Sequence, residues 1–360
     1  MTDWKNMAIA GTVIALIIGA SAGFLIGGFQ TNAAYEARID QLEQTILDLN
    51  GTVPEVKPTI KISRAQTSVN FIDYCRQKQF EILEDMGYTV EVSYIDVTPS
   101  IAAIVSGSID FIDTTAMEYL PAIEGGAEIV QVQPTNTRGY LLVTKSDINS
   151  IEDLIGRVIG ISSYTAISYL YIKYALEDAG LDPEDCTWSV VGGSSARNAA
   201  LAAGSIDAGL LYAEYALVLD ELPTLHILGP LTDFLTTGEV TSGVGVRQDF
   251  IDAHPQTMAD FAYAGVLANV FSLTQREAYI EEGMAWVEGE TGAGYNISYY
   301  TQLYDGYLSW GVWTLEFDPD NAARAVQIAL DAGAITADLP VNTWNIFTFW
   351  NDALEELYLG

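Results

Sequence analysis

The chain has 360 residues, with 48 acidic against 15 basic side chains, a net charge of −33 and 49% hydrophobic residues. That length suits two lobes plus an extra segment, and that hydrophobic content supplies large cores rather than a disordered chain. Acidity of this degree argues against nucleic acid and anionic membrane surfaces as partners, because both repel it. Its plain meaning is a solvated acidic surface.

The first element is the uncharged run Met7–Gly28, preceded by Trp4 and Lys5. As a helix it spans about 33 Å, enough to cross a bilayer. The small-residue triplet Ala20–Ala22 also fits a signal-peptide cleavage site. An uncleaved anchor is preferred, because apolar sequence continues to Gly28; either reading exports the rest of the chain. Tyr35, Ile39, Leu42, Ile46 and Leu49 then fall at alternating steps of four and three. That is a short heptad seam, read as a helical stalk capable of self-association. Gly51–Pro58 reads as a stiff linker. The expected organisation is 1–28 anchor or signal peptide, 29–58 stalk and linker, 59–140 plus 242–360 lobe one, and 141–241 lobe two.

From Thr59 the chain writes one grammar twice. "GSID" stands at Gly107–Asp110 and again at Gly204–Asp207; "LEDMGY" and "LEDAGL" precede the copies. Strand "TIKIS" opens the first unit and "RVIGIS" the second, and "TVEVSYI" and "TWSVVGG" come after each LEDxG. Strand, loop, helix, strand, loop, helix, strand is the signature of a parallel sheet with crossover helices. In this grammar the Gly of each GSID ends a helix in the left-handed conformation, and the Asp sits in the turn into a strand. The motif is packing, not chemistry. The predicted fold class is α/β: two doubly wound lobes with a cleft between them, since ligands of such sheets bind beyond the strands' carboxyl ends.

Three stretches carry a family resemblance: "AAIVSGSIDF…LPAIEGGAEIVQV", "GYLLVTKSDINSIEDLIGRVIGISSYTA" and "LEDAGLDPEDCTWSVV…NAALAAGSIDAGLLYAEYA". With the tail "FTFWNDALEELYLG", they resemble the substrate-binding proteins of ABC importers, in the nitrate, sulfonate, taurine and thiamine-precursor subgroup. The resemblance implies a type II periplasmic-binding-protein fold and two chain crossings, near Asn136–Lys145 and Leu228–Arg247. It also implies a small-molecule ligand and a membrane permease as partner. "FIDYCRQKQFEILEDMG" departs from the family's usual early pattern, so the floor of the lobe-one site is not carried over.

Candidate ligand residues lie in the loops after strands. Arg64, Gln66 and Thr67 come at the end of the first strand; Thr114, Thr115, Glu118 and Tyr119 come from "TTAMEY"; Arg138 stands at the first crossing. Ser162, Ser163, Tyr164 and Thr165 precede a long helix, Ser194, Ser195 and Arg197 come from "VGGSSARNAA", and Tyr212 and Glu214 from "YAEYA". Helix N-termini there favour an anionic or oxygen-rich group, although ordinary N-capping uses the same residues. Arginines with helix ends suit a nitrate or sulfonate; tyrosines with Glu118 or Glu214 suit a neutral or cationic ring. The sequence leaves both open.

No cofactor, metal or turnover is expected. His226 lies in a strand pattern and His254 just before a helix-starting proline; no CxxC, HExxH or Walker pattern occurs, and the GxSxG match at Gly19–Gly23 falls inside the uncharged Met7–Gly28 run. Cys75 and Cys186 are expected as two buried thiols. The leading reading is an ABC-importer solute-binding protein on the cell surface, anchored to the cytoplasmic membrane. The alternatives are a surface receptor or lattice protein reusing the fold, and a pyrimidine- or menaquinone-pathway enzyme that shares it.

Overall fold

The computed structural model describes residues 57–65, 69–134, 139–164, 166–220, 222–235, 242–292, 294, 296–313, 315 and 320–359. The expected anchor and the stalk lie outside them. Among the described residues no helix is long and apolar enough to cross a membrane.

The first unit runs β1 (Thr59–Arg64), a 3-10 turn (Phe71–Asp73), α1 (Tyr74–Asp85), β2 (Thr89–Tyr94), α2 (Val97–Val105), β3 (Phe111–Thr115), α3 (Ala116–Glu124) and β4 (Ile129–Pro134). The second runs β5 (Tyr140–Lys145), β6 (Val158–Ile161), α4 (Ile167–Asp178), β7 (Thr187–Val190), α5 (Ser194–Ala202), β8 (Ala208–Tyr212), α6 (Ala213–Asp220) and β9 (Leu225–Pro230). The chain then returns through β10 (Ser242–Arg247) and ends in helices. These are α7 (Gln248–Ala253), α8 (Pro255–Thr274), α9 (Arg276–Thr291), α10 (Ile297–Ser309), α11 (Asp320–Asp331) and α12 (Thr348–Leu359).

The strands form two five-stranded sheets, β2-β1-β3-β10-β4 and β7-β6-β8-β5-β9. The orders are the same. In each, one strand runs antiparallel to its neighbours: β10 against β3 and β4, β5 against β8 and β9. That strand is the one arriving from the other unit. The repetition predicted from GSID is thus an architectural one, and both glycines take the expected conformation, with φ of 75° at Gly107 and 70° at Gly204. Each ends its helix, α2 or α5.

Each sheet buries its strand faces under helices. Ile60, Ile62, Phe80, Phe111, Val244 and Phe261 pack one core; Leu142, Ile159, Ile161, Leu170 and Leu210 belong to a second, which also takes in Ile112, Tyr119 and Ile129 of the first unit. A third cluster also joins the two units. It sets Phe71, Tyr279, Tyr300 and Tyr307 with Leu141, Leu211 and Ala213, so helices α9 and α10 seal the seam between sheets. The C-terminal segment closes the β4 edge: Gln131 N–H donates to Trp344 O at 2.6 Å and Ile346 N–H to Gln131 O at 2.9 Å. A covered edge cannot pair with another chain. Cys75 and Cys186 are free and buried.

Candidate functional site

The parallel strands of both sheets end in the loops that carry the candidate residues. On the first sheet, β1 delivers Arg64 at its last position. Arg64 is 4% exposed, and its charge is met by two carboxylates. Nη2 lies 2.7 Å from Asp73 Oδ1, and Nε lies 3.3 Å from Asp113 Oδ2. Arg76 Nε reaches the same Asp113 oxygen at 3.1 Å. Below this quartet Gln79 donates to Gln133 Oε1 at 2.9 Å and to Phe261 O at 2.7 Å. Burial alone lowers a guanidinium's pKa, but Asp73 and Asp113 outweigh it and hold Arg64 raised. The sequence pattern singled out Arg64 and missed Asp73, Arg76 and Asp113. An acid at the start of a helix and one inside a strand carry no local signal of their partner.

At the end of β3, Thr114 and Thr115 are half-buried. Thr115 is the N-cap of α3 but makes no side-chain cap bond, and its Oγ1 is buried without a partner. Glu118, one turn on, is exposed. Tyr119 must be corrected: it is fully buried, with its hydroxyl donating to Gln131 Oε1 at 2.9 Å, and is core rather than a ligand contact. The 3.6-residue period of α3 turns position 119 inward. Gln66, Thr67, Arg138 and Thr165 lie outside the described residues.

On the second sheet the loops gather around Arg197, from the first turn of α5. Arg197 is 3% exposed. Its Nε donates to Leu210 O at 2.9 Å, Nη1 to Ser162 Oγ and Gly192 O at 2.5 Å each, and Nη2 to Ser194 Oγ at 3.1 Å. These acceptors are neutral. Among the described residues no carboxylate forms an ion pair with Arg197, and burial lowers its pKa against the opposing pull of Tyr140 and Tyr212. Ser162 N–H donates to Ser168 Oγ at 2.9 Å. Ser163 is half-buried and Ser195 exposed. Helices α4 and α5 both start without a side-chain cap, from Ala166 and Gly193.

Two further candidates lie where the sheets meet. Tyr212 stacks on Tyr140, centroids 4.5 Å apart, and accepts its hydroxyl bond at 2.7 Å. Glu214, on α6, has Oε1 2.5 Å from the Tyr307 hydroxyl. Tyr164 is 54% exposed and meets Tyr169 edge-on at 5.1 Å. A 560 Å³ pocket lies elsewhere, at the amino ends of the first sheet's parallel strands, lined by Ile104, Val105, Ile129, Arg247 and Asp249. It includes no candidate residue.

Two like-ordered sheets, each with one antiparallel strand contributed by the crossing chain, define the periplasmic-binding-protein fold. Residues 79–238 match the family described as ABC transporter, phosphonate, periplasmic substrate-binding protein. The structure is similar to a periplasmic sulfonate-binding protein of a sulfonate ABC transporter from Methylobacillus flagellatus. That likeness has 21% identity and a TM-score of 0.68, covering 85% of this chain and 96% of that one. It is also similar to the periplasmic aliphatic sulphonate binding protein of Escherichia coli, at 19% identity, TM-score 0.64, and 80% and 92% coverage. The periplasmic nitrate-binding protein of Synechocystis matches at 14% identity, TM-score 0.59, and 86% and 91% coverage. At these identities the likeness speaks for the fold. No curated protein matches the chain in sequence. The sequence resemblance to ABC-importer substrate-binding proteins and the three-dimensional fold agree.

Proposed function

We propose that the chain is the extracytoplasmic solute-binding component of an ABC importer, and that its ligand is a small oxyanion of the sulfonate, phosphonate or nitrate type. The observation that carries the ligand's charge is Arg197. Among the described residues it is a buried cation whose hydrogen-bond partners are all neutral, on the first turn of α5 and bonded to Ser162 ahead of α4. A buried charge is costly without a counter-charge, and an incoming anion supplies one. Arg64 does not compete for this role, because Asp73 and Asp113 already neutralise it. Thr115 Oγ1, Ser162, Ser163 and the stacked pair Tyr140–Tyr212 then offer hydroxyls to the anion's oxygens. Tyr164 offers an aromatic face to its carbon part.

Lobe closure around the ligand, with no bond made or broken, is the mechanism this implies. Anchoring by Met7–Gly28, stalk self-association and delivery to a permease belong to the same proposal; their support is the sequence. The test is calorimetric titration of the full-length chain in detergent with methanesulfonate, taurine, nitrate, a phosphonate and a cationic thiamine precursor. Binding of one of the anions supports the reading. Binding of the cationic precursor alone overturns its charge assignment.

A further inference from the structure

Sequence pattern offers Glu214 to a ligand, but the structure commits one carboxylate oxygen, Oε1, to the seam between the sheets, while Oε2 is buried with no hydrogen-bond partner among the described residues. Glu214 belongs to the second unit, on the first turn of α6. Its Oε1 accepts from Tyr307 of α10 at 2.5 Å, and its backbone carbonyl accepts from the Tyr299 hydroxyl of α10 at 2.7 Å. The backbone N–H of Ile72 also faces the carboxylate. Helix α10 and the Phe71–Asp73 turn belong with the first sheet's body: the Tyr279 hydroxyl of α9 donates to Phe71 O at 3.0 Å, and Phe71 packs on Tyr300 at 5.0 Å. Each of these bonds to Glu214 therefore crosses from one body to the other.

The crossing chain lies beside them. Ile72 Cδ1 sits 3.0 Å from where a Cβ on Gly139 would stand, and Gly139 leads directly into β5. One residue beyond Ile72 is Asp73, whose carboxylate holds Arg64 and accepts from Asn70 N–H at 2.8 Å. The line Glu214, Ile72, Asp73, Arg64 thus joins the second unit to the end of β1. The groups facing Glu214 are Tyr307 and Tyr299 from α10, Tyr279 from α9, and Asp73 from the turn; no basic side chain forms an ion pair with it among the described residues.

We infer that Glu214 is a positioning residue: it sets the angle between the two bodies through Tyr307 and Ile72, and so pins the Phe71–Asp73 turn, without touching the ligand. This rests on the proposal that the ligand is held between the two sheets. The test needs no ligand. Spin labels on Val105→Cys and Val190→Cys, both exposed positions on different bodies, report the distance between them in the full-length chain by pulsed EPR. The expected result is a narrow distribution in the parent and in Glu214→Gln, whose amide oxygen still accepts from Tyr307. In Glu214→Ala and Tyr307→Phe the distribution shifts or broadens measurably against the parent, as a released hinge does. An unchanged distribution in Glu214→Ala overturns the inference. So does a Glu214→Gln as disrupted as the alanine variant, since that outcome means packing rather than an acceptor is at work. Circular dichroism shows which variants fold, and Tyr307→Phe keeps the ring that packs on Phe71. Failure of methanesulfonate and nitrate to bind the parent would strike the ligand proposal and leave the distance result standing.

Discussion

Arg247 lies 3.4 Å from Asp110, and the same relationship recurs in the second sheet between Lys145 and Asp207. In both cases the acid is the last residue of GSID and the base is the last residue of the antiparallel strand. The backbones repeat it too: Arg247 N–H donates to Asp110 O at 3.1 Å and Lys145 N–H to Asp207 O at 2.9 Å. Each repeated aspartate receives the strand that crosses from the other unit. Replacing Asp207 by Ala also strips the Val158 N–H of its acceptor. It should cost about 2 kcal/mol, read as a lower midpoint of chemical denaturation. Asp110→Ala should cost less, since its ion pair is looser.

The same pair sets an acid-side pH dependence. Burial tends to raise the Asp207 pKa, but Lys145 and the Val158 N–H outweigh it and hold it below the ordinary value. A carboxyl lowered in the folded state stabilises above its unfolded value of about 3.9 and loses that contribution as pH falls through the lowered folded value. Parent and Asp207→Asn denaturation midpoints should therefore differ at pH 7 and converge below about pH 4. Parallel curves across that range would contradict the assignment.

Arg197 should matter to affinity more than to folding. Arg197→Lys keeps a charge but not the fork that reaches Leu210, Ser162, Gly192 and Ser194. A rise of about 10-fold in the dissociation constant for whichever anion binds the parent is expected, and more for Arg197→Ala. Calorimetry reads the affinity, and a thermal melt separates it from unfolding.

Arg64 should behave oppositely. Removing it takes from Asp73 and Asp113 the cation they share and leaves Arg76 on Asp113, in a site where both carboxylates are nearly inaccessible. Breaking a buried pair from one side costs about 3–5 kcal/mol, so Arg64→Ala should lower stability severely even without ligand. A loss below about 1 kcal/mol by urea denaturation would show that the network is not as closed as its geometry indicates.

Gly265 on α8 faces the side chain of Gln133, one of the glutamine pair. A Cβ there would stand 2.5 Å from Gln133 Nε2. Gly265→Ala should destabilise by about 1–3 kcal/mol through overpacking, despite alanine's better helix propensity. A neutral or stabilising effect on the melting temperature would mean that the Gln79–Gln133 pair yields easily.

Much of the fold was legible in the chain because its signals are local. Alternating short apolar strands and amphipathic helices, punctuated by Gly87, Gly107, Gly180 and Gly204, announce parallel strands with crossover helices. The candidate residues were legible only as positions. A loop after a strand can be named, but whether its side chain turns outward depends on neighbours far along the chain. Tyr119 and Tyr164 show the difference: both are tyrosines near the start of a helix, and one is core while the other is 54% exposed.

By itself the sequence determined the element order, the doubled architecture and the loops eligible to meet a ligand, since these come from periodicity and turn residues within short windows. Only the tertiary structure decided how charge is distributed among those loops. Asp73 and Asp113 come to Arg64 from a turn and a different strand, neutral groups come to Arg197, and Tyr307 reaches Glu214 across the seam. Hydrogen-bonded and ion-paired contacts need heavy atoms within about 4 Å, so they are set by which distant segments are packed together.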